Sequence, residues 1–214
     1  VTPGDDHVLG DEAALRARYR APHELVLRKQ QAEIDDGARA FIGASPFAVL
    51  ASTSPSGTDA SPRGGPPGFV AVLDRQRLAF GDLAGNNRLD SYANITSHPE
   101  VGLLFFVPGV EELLRVNGRA HLTTDPDMLD RTPVGGVRPK VAVVVTVTEC
   151  FIHCGKALRR SGLWDRNTWP AGGEAPSAAA ILTGHLRLDT DPATVAADLE
   201  AGYRATLWRQ GGEA

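Results

Sequence analysis

Val141-Ala142-Val143-Val144-Val145-Thr146-Val147-Thr148-Glu149-Cys150-Phe151-Ile152 is the longest β-branched run in the chain. Side chains branched at Cβ fit a pleated sheet better than a helix, so residues 141–152 are expected to form a strand. Shorter runs upstream have the same character. Residues 101–107 are continuously apolar and close on Pro108-Gly109, whereas residues 112–123 alternate. That alternation puts Leu114, Val116 and Gly118 on one face and Arg115, Asn117 and Arg119 on the other. Residues 47–53 end in the turn formers Pro55-Ser56-Gly57, and residues 69–73 and 77–80 flank Asp74-Arg75-Gln76 as a hairpin. Between these, the strand-like Asp59-Ala60-Ser61-Pro62-Arg63 runs into Gly64-Gly65-Pro66-Pro67-Gly68, too rich in Gly and Pro for a regular ladder. Six or more short strands joined by turns, with few helices between them, point to a mainly β, antiparallel barrel rather than a parallel α/β sheet.

Helical spacing occupies the two ends. Residues 11–20 and 23–43 carry apolar residues at helical intervals, among them Leu25, Ile34, Ala38, Phe41 and Ile42, with Pro22 between the segments. Short helices are expected at 125–131 and, with a basic face, at 155–162. A Pro/Gly loop at 169–177 leads to helical patterns at 177–186 and 190–208, the second opened by Asp191-Pro192 as N-cap and first helical residue. The organisation expected is one domain, 1–214: a tail at 1–10, N-terminal helices at 11–44, a barrel core at 45–165 and a C-terminal helical extension at 166–214.

Composition removes several functions. A hydrophobic fraction of 42% and a charged fraction of 22% are ordinary for a soluble globular protein. The net charge of −4 provides no basic field for nucleic acid. No window reaches the roughly 18 consecutive apolar residues of a membrane span, and the N-terminus lacks a signal-peptide pattern. Two cysteines, Cys150 and Cys154, are too few for a disulfide framework. A cytoplasmic protein is expected.

One polar segment among the strands carries chemistry. Gly85-Asn86-Asn87-Arg88-Leu89-Asp90-Ser91 joins a strand to a helix that runs on through Tyr92 and Ile95 to Pro99. Glycine permits a tight turn, the asparagines offer amides, and the start of a helix aims unpaired N–H groups outward beside Arg88, a combination suited to phosphate. A plain turn with a solvated Arg88 uses the same residues. Arg63, one element earlier, favours the anion site, because two arginines and a helix N-terminus suit a phosphate.

Other clusters read more plainly. Cys150, His153 and Cys154 would share a helix face, but on a strand His153 turns away and the sulfurs lie about 13 Å apart. Both cysteines are therefore expected to be buried as small apolar residues, and no metal is expected. Lys156, Arg159 and Arg160 form either a solvated helix face or, with Trp164, the wall of a cleft for a planar anion. No dinucleotide glycine motif, Walker loop or nucleophile elbow is present.

Taken together, Ser61-Pro62-Arg63-Gly64, Pro67-Gly68-Phe69, Gly85-Asn86-Asn87-Arg88, residues 114–120 (Leu-Arg-Val-Asn-Gly-Arg-Ala), His153-Cys154 and Arg160-Ser161-Gly162-Leu163-Trp164 resemble the FMN-binding split-barrel flavoproteins, the pyridoxamine 5′-phosphate oxidase-like family. The resemblance implies a six-stranded antiparallel split barrel, with extra helices at both ends, acting as a homodimer with FMN at the subunit interface. It implies that the strand segment at Arg63 and the Asn87-Arg88 pair hold the FMN phosphate, with Ser61, Gly64, Asn86 and Ser91 also binding the cofactor. It places Arg115 and Asn117, and Arg160 and Trp164 from the second subunit, near the flavin ring. An FMN-dependent oxidoreductase acting on a small molecule is the function implied. A flavin carrier or sensor without turnover, or a split barrel using deazaflavin or haem, are the alternatives. Positions outside the phosphate loop do not reproduce the substrate-binding pattern of true pyridoxamine phosphate oxidases, so no catalytic residue is assigned. On this reading Arg88→Ala weakens FMN binding by about 1.5–3 kcal/mol.

Overall fold

The computed structural model describes residues 7–55 and 57–211. They divide into two compact units, one ending at Gln30 and the other beginning at Gln31. The first holds two single-turn helices, α1 (Glu12–Arg16) and α2 (Glu24–Arg28), capped by Asp11 and His23.

The second unit is a seven-stranded antiparallel sheet with flanking helices. Its strands are β1 (Phe47–Ser54), β2 (Gly57–Gly64), β3 (Val70–Val72), β4 (Arg77–Gly81), β5 (Glu100–Phe106), β6 (Leu113–Thr123) and β7 (Ala142–His153). Their spatial order is β2-β1-β5-β6-β7-β4-β3. The helices are α3 (Asp36–Ala44), α4 (Asp90–Ser97), α5 (Pro126–Arg131), α6 (Lys156–Ser161), α7 (Ala178–Leu186) and α8 (Pro192–Thr206). No helix among the described residues is long and apolar enough to cross a membrane.

The strand count corrects the six expected. The addition is β2, whose Gly-Thr-Asp-Ala-Ser-Pro-Arg-Gly sequence has little strand propensity of its own. Hairpin closure overrides propensity here, because β2 pairs with β1 in continuous register from Ser54↔Gly57 to Phe47↔Gly64. Pro62 is tolerated because β2 is an edge strand, where a missing N–H need not break the sheet.

One face of the sheet wraps around the core. Leu50 and Leu103 oppose each other across β1 and β5, as do Ala48 and Phe105, and all four are buried. Leu114 and Val116 of β6, Leu78 and Phe80 of β4, and Val143 and Val145 of β7 complete it, closed by Ile34, Ala38 and Ile42 from the α3 segment and by Tyr92 and Ile95 of α4. The other face, carrying Val49, Leu104, Arg115 and Asn117, is half-buried. Ser45, fully buried, has its single hydroxyl proton within reach of the carbonyls of both Phe47 (2.8 Å) and Phe106 (2.7 Å), tying the entry of β1 to the end of β5.

The long helix expected at 23–43 is instead two helices separated by an extended stretch. β4 covers β7 as far as Thr146, and the carbonyl of Gln76, just before β4, accepts the Val147 N–H at 2.7 Å, which leaves the backbone of β7 beyond Val147 in need of partners on this side. Gln31 supplies them: its N–H donates to the Cys150 carbonyl at 3.0 Å, and the Cys150 N–H donates to its carbonyl at 2.7 Å. A bidentate ion pair of Arg75 with Glu33 holds the same stretch. Cys150 is buried as expected, whereas Cys154 is exposed because β7 ends one residue before it.

Candidate functional site

Three elements enclose a pocket of about 360 Å³: β2, the end of β4 with the loop that follows, and the start of α4. Period two along β2 brings Asp59, Ser61 and Arg63 to the same side, and all three line the pocket with Gly64. From the other direction come Asn86, Asn87, Arg88 and Ser91. Seven of the eleven residues singled out in the sequence thus meet in one cavity. Arg115, Asn117, Arg160 and Trp164 do not line it.

The loop turns differently from expectation. Gly85 has an ordinary backbone, and the left-handed conformations fall instead at Asn87 (φ 55°) and Leu89 (φ 58°). Asparagine accepts that region readily; leucine rarely does. Asn86 Oδ1 accepts the Arg88 N–H at 3.1 Å, so this asparagine closes the turn and its oxygen is not presented to a ligand. Leu89 stands at the N-cap of α4, and no side chain caps the helix. The first N–H groups of α4 are therefore open to an anion at the wall of the pocket.

The two arginines differ sharply. Arg88 is 72% exposed and its Nε is ion-paired with Asp90 Oδ2 at 2.7 Å. Arg63 is half-buried, its guanidinium carbon lies 5.2 Å from the centroid of the Tyr92 ring, and its Nε is buried with no hydrogen-bond partner among the described residues. A buried guanidinium N–H left unpaired is costly, and a charge-assisted bond to an anion would satisfy it. The expectation for Arg88 falls accordingly: an exposed, already paired cation contributes below about 1 kcal/mol. Arg88→Ala is thus expected to change FMN affinity by less than about fivefold, read by fluorescence titration.

Three carboxylates share the cavity and each is engaged. Ser91 Oγ donates to Asp59, Arg88 holds Asp90, and Tyr92 Oη donates to Asp82 Oδ1 at 2.7 Å. Burial pushes the Asp82 carboxyl above its ordinary value, opposed by the Tyr92 hydrogen bond and the Arg63 charge. Burial also raises the Tyr92 phenol, so it remains a proton donor. The folded protein holds the Asp82 proton more tightly than the unfolded chain does. Its contribution is therefore full at low pH and lost as pH rises from the ordinary carboxylate range through the raised value. Urea unfolding of the wild type and Asp82→Asn should show the wild type losing ground to the variant over that window; a pH-independent difference would contradict the assignment. Asp59 was legible from its period-two relation to Ser61 and Arg63, whereas nothing in the sequence marks Asp82 or Tyr92.

The remaining expected residues occupy two other places. Arg115 and Asn117 lie on the half-buried outer face of β6, with Arg115 Nε donating to Asn117 Oδ1 at 3.2 Å and Asn117 Nδ2 donating to Glu149. The Arg115 guanidinium sits 5.5 Å from the Phe151 ring centroid. Arg160 is exposed on α6. Trp164 Nε1 donates to the Val110 carbonyl at 2.9 Å, tying the segment after α6 to the β5–β6 turn, where Arg159 pairs with Glu111. Among the described residues no three His, Cys, Asp or Glu side chains gather as a metal site.

Among solved structures the chain is similar to HupZ of Group A Streptococcus, at 15% identity over 56% of this chain and 93% of that one, with a TM-score of 0.46. It is also similar to a putative pyridoxamine 5′-phosphate oxidase of Lactobacillus delbrueckii, at 20% identity over 56% and 95% of the two chains (TM-score 0.43). A third is the FAD binding protein from Mycobacterium smegmatis, at 13% identity over 57% and 97% (TM-score 0.39). No curated protein matches the chain. The family model for pyridoxamine 5′-phosphate oxidase matches residues 34–154, from the segment before α3 to the end of β7, and so takes in every strand and both walls of the pocket. The chain belongs to the pyridoxamine 5′-phosphate oxidase family.

Proposed function

We propose that the protein is an FMN-dependent oxidoreductase acting on a small molecule, and that the pocket between β2 and α4 receives the FMN phosphate. The observation that carries this reading is the buried, unpartnered Nε of Arg63 in a cavity that also contains the uncapped start of α4. A phosphate satisfies both at once. Its oxygens accept from the Arg63 guanidinium and from the first N–H groups of α4, with Ser61 and the Asn87 amide lining the same space.

Bound flavin supplies hydride or electron transfer, which leaves binding, orientation and electrostatics to the protein. Arg63 fixes the phosphate end, and its cation–π contact with Tyr92, 5.2 Å from guanidinium carbon to ring centroid, helps position the guanidinium. The proposed assembly is a homodimer in which the half-buried outer sheet face meets a second copy. Arg115 and Asn117 would then approach the ring end of the cofactor together with Arg160 and Trp164 of the partner subunit. Arg115 is partly neutralised by Glu149 at 3.9 Å, so its charge is tempered rather than free to act at full strength on a reduced ring.

The test is direct. Protein incubated with FMN and then desalted should retain the visible absorption of bound flavin, and a hydride donor should bleach it. Protein that stays colourless after this treatment contradicts the proposal.

A further inference from the structure

The described chain ends against the wall of this pocket. After α8, Trp208-Arg209-Gln210-Gly211 turns back and lies beside Leu83 and Ala84, which line the cavity immediately before the Gly85–Leu89 loop. Gln210 forms an antiparallel bridge with Leu83, and the Ala84 N–H donates to the Arg209 carbonyl at 3.0 Å. Gln210 Nε2 donates to the Arg138 carbonyl at 2.8 Å.

Two glycines mark how closely the segment is seated. A β-carbon at Gly135, whose φ of 58° already favours glycine, would overlap the Trp208 ring. A β-carbon at Gly211 would overlap Asp82 Oδ2. The other oxygen of that carboxylate accepts from Tyr92, the ring over which the Arg63 guanidinium lies. A physical path therefore runs from Gly211 through Asp82 and Tyr92 to Arg63. A second runs from Arg209 through Ala84 into the loop.

We propose that Trp208–Gly211 is a strap that positions the phosphate end of the pocket, and that docking of the strap and binding of an anionic ligand favour each other. The loop needs such support. Among the described residues the Asn86–Arg88 turn and the Arg88–Asp90 pair constrain it from within, while Asn87 and Leu89 are held in left-handed conformations. Conformations of that kind persist only where the surroundings over-determine them. A ligand that binds the strapped form more tightly stabilises the strap by the same factor that the strap adds to its affinity. The identity of the ligand as FMN rests on the proposed function above; the strap itself rests on the contacts of Leu83, Ala84 and Asp82.

Hydrogen exchange on the full chain tests both parts, with Gly211→Val and Trp208→Ala as two independent releases of the strap. Trp208→Ala leaves the Asp82 side of the seat untouched, so it serves if Gly211→Val disturbs folding. Both variants should exchange faster than wild type over residues 83–88 and bind FMN about tenfold more weakly. FMN should in turn slow exchange at 208–211 in the wild type. Unchanged exchange at 83–88 in both variants, or a loosened loop with unchanged FMN affinity, overturns the strap. If the wild type takes up no FMN, the flavin reading fails and inorganic phosphate becomes the probe. Slower exchange at 83–88 and 208–211 with phosphate supports the strap; no change rejects it.

Discussion

Arg63→Ala is expected to weaken FMN binding by about 2–3 kcal/mol, roughly 30- to 150-fold, the largest loss of any single side chain in the pocket. The magnitude follows from placement. The Arg63 guanidinium lies over the Tyr92 ring and its buried Nε has no hydrogen-bond partner among the described residues, so a phosphate that meets Nε replaces no bond seen there. Arg88 must instead give up or share its contact with Asp90 from an exposed position. The ordering Arg63 well above Arg88 is the signature, measured by titrating each variant with FMN and following flavin fluorescence. Arg63→Lys should recover only part of the loss, because an ammonium keeps the charge but not the planar fork. Equal effects at the two arginines would place the phosphate at the rim of the loop rather than in the pocket.

Phe105→Ala carries the largest expected effect on stability, a loss of about 3–5 kcal/mol. Phe105 is fully buried at the centre of the sheet's inner face, on β5, which is flanked by β1 and β6. Removing the ring takes its apolar surface out of the core and leaves a cavity that paired strands on both sides cannot collapse to fill. For a chain of this size the midpoint of thermal unfolding should fall by about 6–20 °C. The adjacent Phe106 points to the half-buried outer face, where it meets Phe47 edge-on with ring centroids 5.7 Å apart. Its truncation should cost much less in the isolated subunit. A loss at Phe106 that matches the loss at Phe105 would show that the outer face is buried to the same degree in solution.

The sheet was legible because most of its strands announce themselves by composition and alternation. Residues 141–152 and 112–123 needed nothing beyond β-branching and a period of two, and β7 and β6 form there within a residue or two. β2 was half-hidden: residues 59–63 read as strand-like but with little propensity of their own, and pairing with β1 makes the whole of Gly57–Gly64 a strand. The break in the N-terminal helix was invisible for a related reason. What interrupts it is the open backbone of β7 at Cys150, more than a hundred residues away, and no local pattern records that demand.

At the site, the loop and the two arginines were readable as an anion cradle, but not the division of labour within it. The sequence cannot say that Asn86 closes the turn, that Arg88 faces Asp90, or that Arg63 has a buried Nε with no hydrogen-bond partner among the described residues. Nor does it show that the residues before Gly85 are braced by a segment from the far end of the chain. Each of these facts depends on which groups tertiary packing has already satisfied. That is why spacing singled out seven residues that line the pocket, while Asp82 and Tyr92 and the pairing within it emerged only from the fold.

The central claim is that this pocket grips the phosphate of FMN. Comparing FMN with riboflavin on the wild-type protein tests it most directly, because the two ligands share the ring and ribityl chain and differ only in the phosphate. FMN should bind at least about tenfold more tightly than riboflavin, and Arg63→Ala should reduce this preference. Equal affinity for the two ligands, or a preference for FMN that survives in Arg63→Ala, would contradict it.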